Sequence, residues 1–469
     1  MMMQQNIKYF KNLDNFLNCD PLSHMNIEFL KDCFTRENYV QEICQLSSTL
    51  ERCCNLSTIF LNLQYRKFYG ETFSKLCSGL SKCANIQNFK VDLCRNYIKD
   101  LGAQELSFVI SNWVYLSILT LNLDDNKISD KGISELASAL GKCVSLSNLF
   151  LNIASNDISD EGISELASAL GKCVSLSNLF LNIAGNDRRS VNSKYNLGSN
   201  LAQCKNLSNL NLQLYSTELG NDNISELVSG LIKCKNLQAL VLNLGDNNIG
   251  QQVYENLGSD LAYFTHLSKL SLQLYQTEIS NNVVYYICSG IKYCTNLSIL
   301  NLNLGGYSLN ELAASHISSA LAKLTNLSNL TISFSGHKIT AQGASYIGSA
   351  LSKCTNLQAL SLQLCNNNIG ITGFKDLTSG LVNCSNLSSL TLDLRQNQID
   401  DQSVLYLGQA IAKCIKIFNL KLYLRYGNRL SNQCLSDFIS VIVSHQSIQI
   451  LELECELVRM IFMYQDYHI

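Results

Sequence analysis

The chain is 469 residues long, 46% hydrophobic and 15% charged, enough apolar material for a large buried core and too apolar for a disordered chain. Its 35 basic and 37 acidic residues leave a net charge of -2, so no global field draws it to nucleic acid or an anionic membrane. No apolar run reaches the roughly 18 to 20 residues of a membrane span, and the start, MMMQQNIKYFKNLDNF, lacks the apolar core of a signal peptide; the expectation is a soluble, cytoplasmic protein without membrane attachment.

Residues 1–45 precede any regular pattern and are expected to form a helical cap, because the end of a stacked array must hide its open core. From Leu46 to Cys455 a single frame recurs. It is plainest in GISELASALGKCVSLSNLFLNIA, which runs from Gly132 to Ala154 and again from Gly162 to Ala184. The frame is anchored three residues before a core aliphatic, at Cys53, Cys83, Trp113, Cys143, Cys173, Cys204, Cys234, Phe264, Cys294, Leu324, Cys354, Cys384, Cys414 and His445. These are fourteen units at intervals of 30, with two intervals of 31. A fixed period in this range marks a solenoid, in which each unit buries its apolar face against its neighbours.

Six columns of each unit, seven and three before the anchor and three, six, eight and ten after it, hold Leu, Ile, Val or Phe throughout, with Cys455 as the exception. Within a unit, Leu136, Leu140 and Cys143 fall at i, i+4 and i+7, one face of a helix. Leu149, Leu151 and Ile153 alternate, one face of a strand. After the strand comes Asn at 96, 126, 156, 186, 247, 367 and 397, where a side-chain amide can satisfy main-chain groups of the turn.

The pattern resembles the leucine-rich repeat family, L-x-x-L-x-L-x-x-N-x-L, in its long ribonuclease-inhibitor-like form. Here the core reads L-x-x-L-x-L-x-L-x-x-N-x-I, two residues longer between strand and Asn. Such lengthened LNL and LQL repeats are similar to those abundant in ciliated protists, where some accompany protein kinase domains. The implied fold is α/β, a leucine-rich repeat solenoid of about 14 repeats of 30 residues. Strands pack about 4.8 Å apart and helices roughly 8 to 10 Å apart, so a horseshoe is expected, strands on the concave face and helices on the convex face.

Twenty cysteines raise a redox or zinc reading, but ten are simply the anchor column, and no C-x-x-C pair exists. Free buried thiols are expected. N-x-S/T sequons at Asn55, Asn206, Asn296 and Asn326 fall one residue before a core leucine, where glycans would crowd adjacent repeats. The histidines His24, His266, His316, His337, His445 and His468 fall in unrelated phases and read as surface or packing residues. LGKC lacks the upstream Gly and the Ser or Thr of a phosphate loop, and no kinase motif set occurs. No enzyme, metal or cofactor is expected.

Function is therefore sought on the strand face. The central letter of LNL forms an amide column that includes Asn152, Asn182, Gln213, Asn243 and Gln273; it is either a hydrogen-bonded ladder or a polar recognition strip. Beside it, Phe150 and Phe180 would lie side by side, followed by Asn211, with Tyr215 and Tyr275 at the strand ends. Exposed aromatics on a neutral surface fit an interface anchor; alternatively Phe180 merely inherited its identity when the repeat was copied. Charge returns at Asp393, Arg395, Lys421, Arg425, Glu452, Glu454 and Glu456, without the basic stripe that nucleic acid would need. Arg188 and Arg189, in NDRRSVNSKYN, are a minor docking candidate, and residues 456–469 a C-terminal cap or docking tail.

The expected role is a non-catalytic scaffold or recognition module, monomeric, binding a protein on the concave face. Three alternatives stay open. One is a regulator of a partner enzyme, of GTPase-activator or hydrolase-inhibitor type, as the ribonuclease-inhibitor-like resemblance implies. Another is a ubiquitin-ligase substrate receptor acting through residues 1–45, whose CDPLSHMNIEFL invites comparison with an F-box. The third is a structural subunit of cilium or cytoskeleton.

Overall fold

Each repeat folds as its spacing dictates, one strand, one turn and one helix. The computed structural model describes residues 7–23, 25–29, 33, 39–186, 195–277, 279–305, 308–445, 447–454 and 459–463. The chain forms two units, Met1–Leu237 and Gln238–Ile469.

In the first unit, strands β1 (Lys8–Phe10), β2 (Asn26–Phe29), β3 (Thr58–Asn62), β4 (Asn88–Asp92), β5 (Ile118–Asn122), β6 (Asn148–Asn152), β7 (Asn178–Asn182) and β8 (Asn209–Gln213) pair in sequence order, all parallel. They alternate with helices α1 (Leu13–Leu17), α2 (Tyr39–Leu50), α3 (Gly70–Leu80), α4 (Lys99–Ser111), α5 (Asp130–Leu140), α6 (Asp160–Leu170), α7 (Leu197–Leu201) and α8 (Asn221–Leu231). Register follows the period: Leu149 lies opposite Leu119 on one side and Leu179 on the other.

The second unit repeats the plan with β9 (Ala239–Asn243), β10 (Lys269–Gln273), β11 (Ile299–Asn303), β12 (Asn329–Ser333), β13 (Ala359–Gln363), β14 (Ser389–Asp393), β15 (Asn419–Tyr423) and β16 (Ile450–Glu454) in parallel. Its helices are α9 (Gln251–Leu261), α10 (Asn281–Ile291), α11 (Glu311–Leu321), α12 (Ala341–Leu351), α13 (Gly370–Leu381), α14 (Asp401–Lys413) and α15 (Asn432–Val443). A last strand, β17 (Arg459–Met463), turns back antiparallel on β16, so the tail pairs with the final repeat strand.

The core is built from the six aliphatic columns. Leu136, Leu140, Leu146, Leu149, Leu151 and Ile153 are all buried; each such side chain contributes about 1.5–3 kcal/mol relative to leaving it in water. The helices pack at small residues. A Cβ on Gly230 of α8 would run into the main chain of Gly198 in α7, so neither helix could keep its place with an ordinary side chain there.

Helix starts are tied from repeat to repeat. Asp130 of α5 accepts from the main-chain N–H of Ser159 at 2.7 Å and from its hydroxyl at 2.6 Å, and Ser159 is itself the N-cap of α6. Asp100 of α4 binds Ser129 in the same way.

Among the described residues of 1–45, expected to form a helical cap, strands accompany the helices. β1 and β2 extend the parallel ladder onto β3, and Phe10, Phe16 and Phe29 close the end with ring centroids 5.1 to 5.7 Å apart. The physical reason is that an open sheet edge is best covered by further strands, whose main-chain groups pair with it, while the aromatics fill the core.

Candidate recognition surface

The turn that leaves each strand is held by the buried asparagine. Asn156 Oδ1 accepts from the main-chain N–H of Asn126 and of Ile128, both at 3.0 Å, and its Nδ2 donates to the carbonyls of Leu123 and Ala154, both at 2.9 Å. Asn96, Asn126 and Asn186 repeat the motif in the first unit and Asn367 and Asn428 in the second, while Asn397 keeps its donor half, Nδ2 to the Leu364 carbonyl. Three further residues of this column went unrecognised in the sequence because their chemistry differs. Thr217 and Thr277 donate their hydroxyls to Leu214 and Leu274 carbonyls at 2.6 and 2.7 Å. His337, read as a packing residue in no particular phase, stands here too: its Nε2–H donates to the Leu304 carbonyl at 2.7 Å, and its Nδ1 accepts the Leu309 N–H at 3.3 Å. Burial lowers its pKa, against the opposing pull of the Leu304 hydrogen bond.

These turns hold the strands so that alternate residues leave the core. In the first unit Leu149 and Leu151 are buried, whereas Asn148, Phe150 and Asn152 are half-buried on the other face. Phe150 and Phe180 stack with ring centroids 4.1 Å apart and planes 5° from parallel. Asn152 and Asn182 sit one step along the same strands and are likewise half-buried.

The amide column is partly a ladder. Asn122 donates to Asp92 at 3.0 Å and Asn152 to Asn122 at 2.9 Å, while the oxygens of Asn152 and Asn182 accept from the N–H of Ala154 and Ala184. A second amide run, at the start of the same strands, joins Asn148, Asn178 and Asn209. Opposite Phe180 lies Asn211, whose side-chain oxygen accepts from Gln213 at 2.6 Å; Tyr215 is half-buried just beyond. The aromatic column begins earlier than the Phe pair, since Lys90 lies over the Phe60 ring at 5.8 Å.

In the second unit Asn243 is buried, and its oxygen accepts from the Gly245 N–H at 3.2 Å. Tyr275 lies across Gly245, where a Cβ would meet the ring, and its hydroxyl is 3.5 Å from Asn243 Nδ2. Gln273 donates to Ser271 at 3.2 Å. The charges near the end of this unit pair with one another: Arg395 with Asp393 at 2.6 Å, Lys421 with Glu452 at 3.1 Å and Arg425 with Glu454 at 3.6 Å. Arg188, Arg189 and Glu456 lie outside the described residues.

The anchor thiols do structural work. Cys173 Sγ donates to the Leu140 carbonyl of the preceding repeat at 3.3 Å, as Cys83 does to Leu50 at 3.4 Å and Cys294 to Leu261 at 3.3 Å. Burial pushes all three thiols up to about 12. Among the described residues no group of three His, Cys, Asp or Glu is placed to hold a metal ion, and no helix is long and apolar enough to cross a membrane.

A family model described as Leucine Rich repeat matches residues 116–137 and 149–167. A search of curated proteins finds no match. Among solved structures the chain is similar to an internalin of Listeria monocytogenes, at 20% identity over 81% of this chain and 83% of that one, with a TM-score of 0.47. It is also similar to a leucine-rich repeat protein of Leptospira interrogans, at 15% identity over 95% of this chain and all of that one, with a TM-score of 0.41. With the family matched in these two segments, and with strand, buried ladder residue and helix recurring in the same order through each unit, the fold is an α/β leucine-rich repeat solenoid.

Proposed function

We propose that this chain is a non-catalytic protein-interaction module, and that the strand face of its first unit seats a protein partner at Phe150 and Phe180. The observation that carries the reading is the stacked, half-buried pair itself, 4.1 Å between centroids, on the side of the sheet away from the core. Aromatic rings presented rigidly by a sheet offer large contact area at little entropic cost, which is what an interface anchor requires. Asn152 and Asn182 beside them have oxygens tied to the main chain and so are pre-oriented neighbours for a partner's polar groups.

Long helices, eleven residues in α5 and in α6, favour the ribonuclease-inhibitor-like type of repeat. A reducing compartment such as the cytoplasm agrees with the sequon asparagines. Asn206 donates to Val174, Asn296 to Thr265 and Asn326 to Thr295, contacts that a glycan on the same nitrogen would displace.

Photo-crosslinking tests the seat. Benzoylphenylalanine replaces Phe150 in one sample and Phe108, exposed on α4, in another. Crosslinking of a partner from position 150 and not from 108 supports the reading; crosslinking from 108 alone moves the contact to the helices and overturns it.

A further inference from the structure

The loops that leave β3, β4 and β5 form a ridge unlike the rest of the first unit. Residues 64–69, 94–99 and 124–129 are joined edge to edge: Tyr65 N–H donates to the Cys94 carbonyl at 2.9 Å and Arg95 N–H to that of Asp124 at 2.8 Å. Arg66, Lys67, Arg95, Lys99 and Lys127 give these loops five cations against two carboxylates, Asp124 and Asp125. Interleaved with them are three tyrosines, exposed by 48% at Tyr65, 56% at Tyr69 and 41% at Tyr97. The Tyr69 and Tyr97 rings stack at 6.0 Å and 17°, and the Arg95 guanidinium lies 5.4 Å from the Tyr65 centroid. In a chain of net charge -2, cation and aromatic are concentrated here locally.

Tyr65, Lys67, Arg95 and Lys99 all adopt left-handed φ, between 53° and 60°. The equivalent turn position is also left-handed at Asp125, Ser155, Gly185 and Ser216 in this unit and at Asp246, Gln276, Asn366, Gln396 and Tyr426 in the second, so this φ belongs to the repeat. Asn96 fixes the first of these loops, its Oδ1 accepting from Arg66 N–H at 3.1 Å and from Phe68 N–H at 3.0 Å. The tyrosines, lysines and arginines of the ridge are thus carried outward on loops whose shape the repeat fixes.

We propose that this ridge docks an acidic segment of a protein partner. Lys67, Arg95, Lys99 and Lys127 hold its carboxylates, and its chain lies against the rings of Tyr65, Tyr69 and Tyr97. Nucleic acid fits less well, because Asp124 and Asp125 interrupt the continuous basic track a phosphate backbone needs, whereas a short acidic peptide requires only a few cations. The ridge is a surface separate from the stacked Phe150 and Phe180, so either proposal can fail alone.

The test uses the full chain and fluorescence anisotropy at low salt. The probes are a labelled peptide alternating glutamate and serine, one alternating lysine and serine, and a thymidine oligonucleotide. The glutamate peptide binds and the lysine peptide does not. Its affinity drops about tenfold in Arg95→Glu/Lys99→Glu and in the second pair Lys67→Glu/Lys127→Glu, and stays unchanged in Lys142→Glu, an exposed lysine at the end of α5. All substituted side chains except the controls lie on the exposed ridge, and circular dichroism checks each fold. Failure of the glutamate peptide to bind, equal binding by both ridge variants and the parent, or tighter binding of the oligonucleotide would each overturn the proposal.

Discussion

The side-chain oxygen of Asn156 accepts the main-chain N–H of Asn126 at 3.0 Å, so each ladder asparagine fastens the repeat before its own. Asn156→Ala leaves several buried main-chain groups without partners and is expected to cost about 2–4 kcal/mol, read as a lowered denaturation midpoint. Asn156→Thr should cost less, since Thr217 and Thr277 already serve in this column through their hydroxyls.

Helix contact sets a second limit. Gly230→Ala places a methyl against the main chain of Gly198 and is expected to destabilise by about 1–3 kcal/mol through overpacking. Gly141→Ala is the comparison: its added Cβ would meet the nearest atom, on Lys172, at 3.4 Å, an ordinary contact, and its thermal midpoint should match the parent's.

His337 gives the second unit a pH dependence with a defined sign. Its folded pKa lies below the ordinary value of about 6.5, so as pH falls the unfolded chain takes up the proton first. Stability is full above that value and declines below it, down to the folded pKa; a proton on Nδ1 would also forfeit the Leu309 N–H. His316 is shifted in the same direction by burial and adds to the effect. His337→Asn, which restores the usual ladder residue, should flatten the fall in melting temperature between neutral and mildly acidic buffer. An unchanged slope would mean that His337 does not carry the pH dependence.

Thiol reactivity follows burial. Under native conditions an alkylating reagent should modify exposed Cys54 first and spare Cys83, Cys173 and Cys294, which burial holds at about 12. Mass spectrometry after brief labelling reads the order, and protection of the three anchor thiols should vanish on unfolding.

Much of the fold was legible because a solenoid repeats its instructions. Leu149 and Leu151 could be placed on the core face, and Phe150 and Phe180 beside one another, from the period alone. What escaped were sites where a different residue fills a repeated role. His337 carries the donor and acceptor of a ladder asparagine on one ring, a substitution that periodicity by amide cannot find. β1 and β2 were hidden because strands of three and four residues outside the frame have no columns to align. The Tyr65 and Arg95 ridge went unremarked because loop residues read as solvated until their neighbours 30 positions away are seen beside them.

The stacked phenylalanines of the first unit are proposed as the recognition surface. Its most direct test is affinity purification of the tagged protein from its own cells, beside Phe150→Asp/Phe180→Asp, with mass spectrometry of what co-purifies and circular dichroism to confirm that the variant folds. A discrete partner retained by the parent and lost by the variant is the predicted result. The same partners in both samples would contradict it.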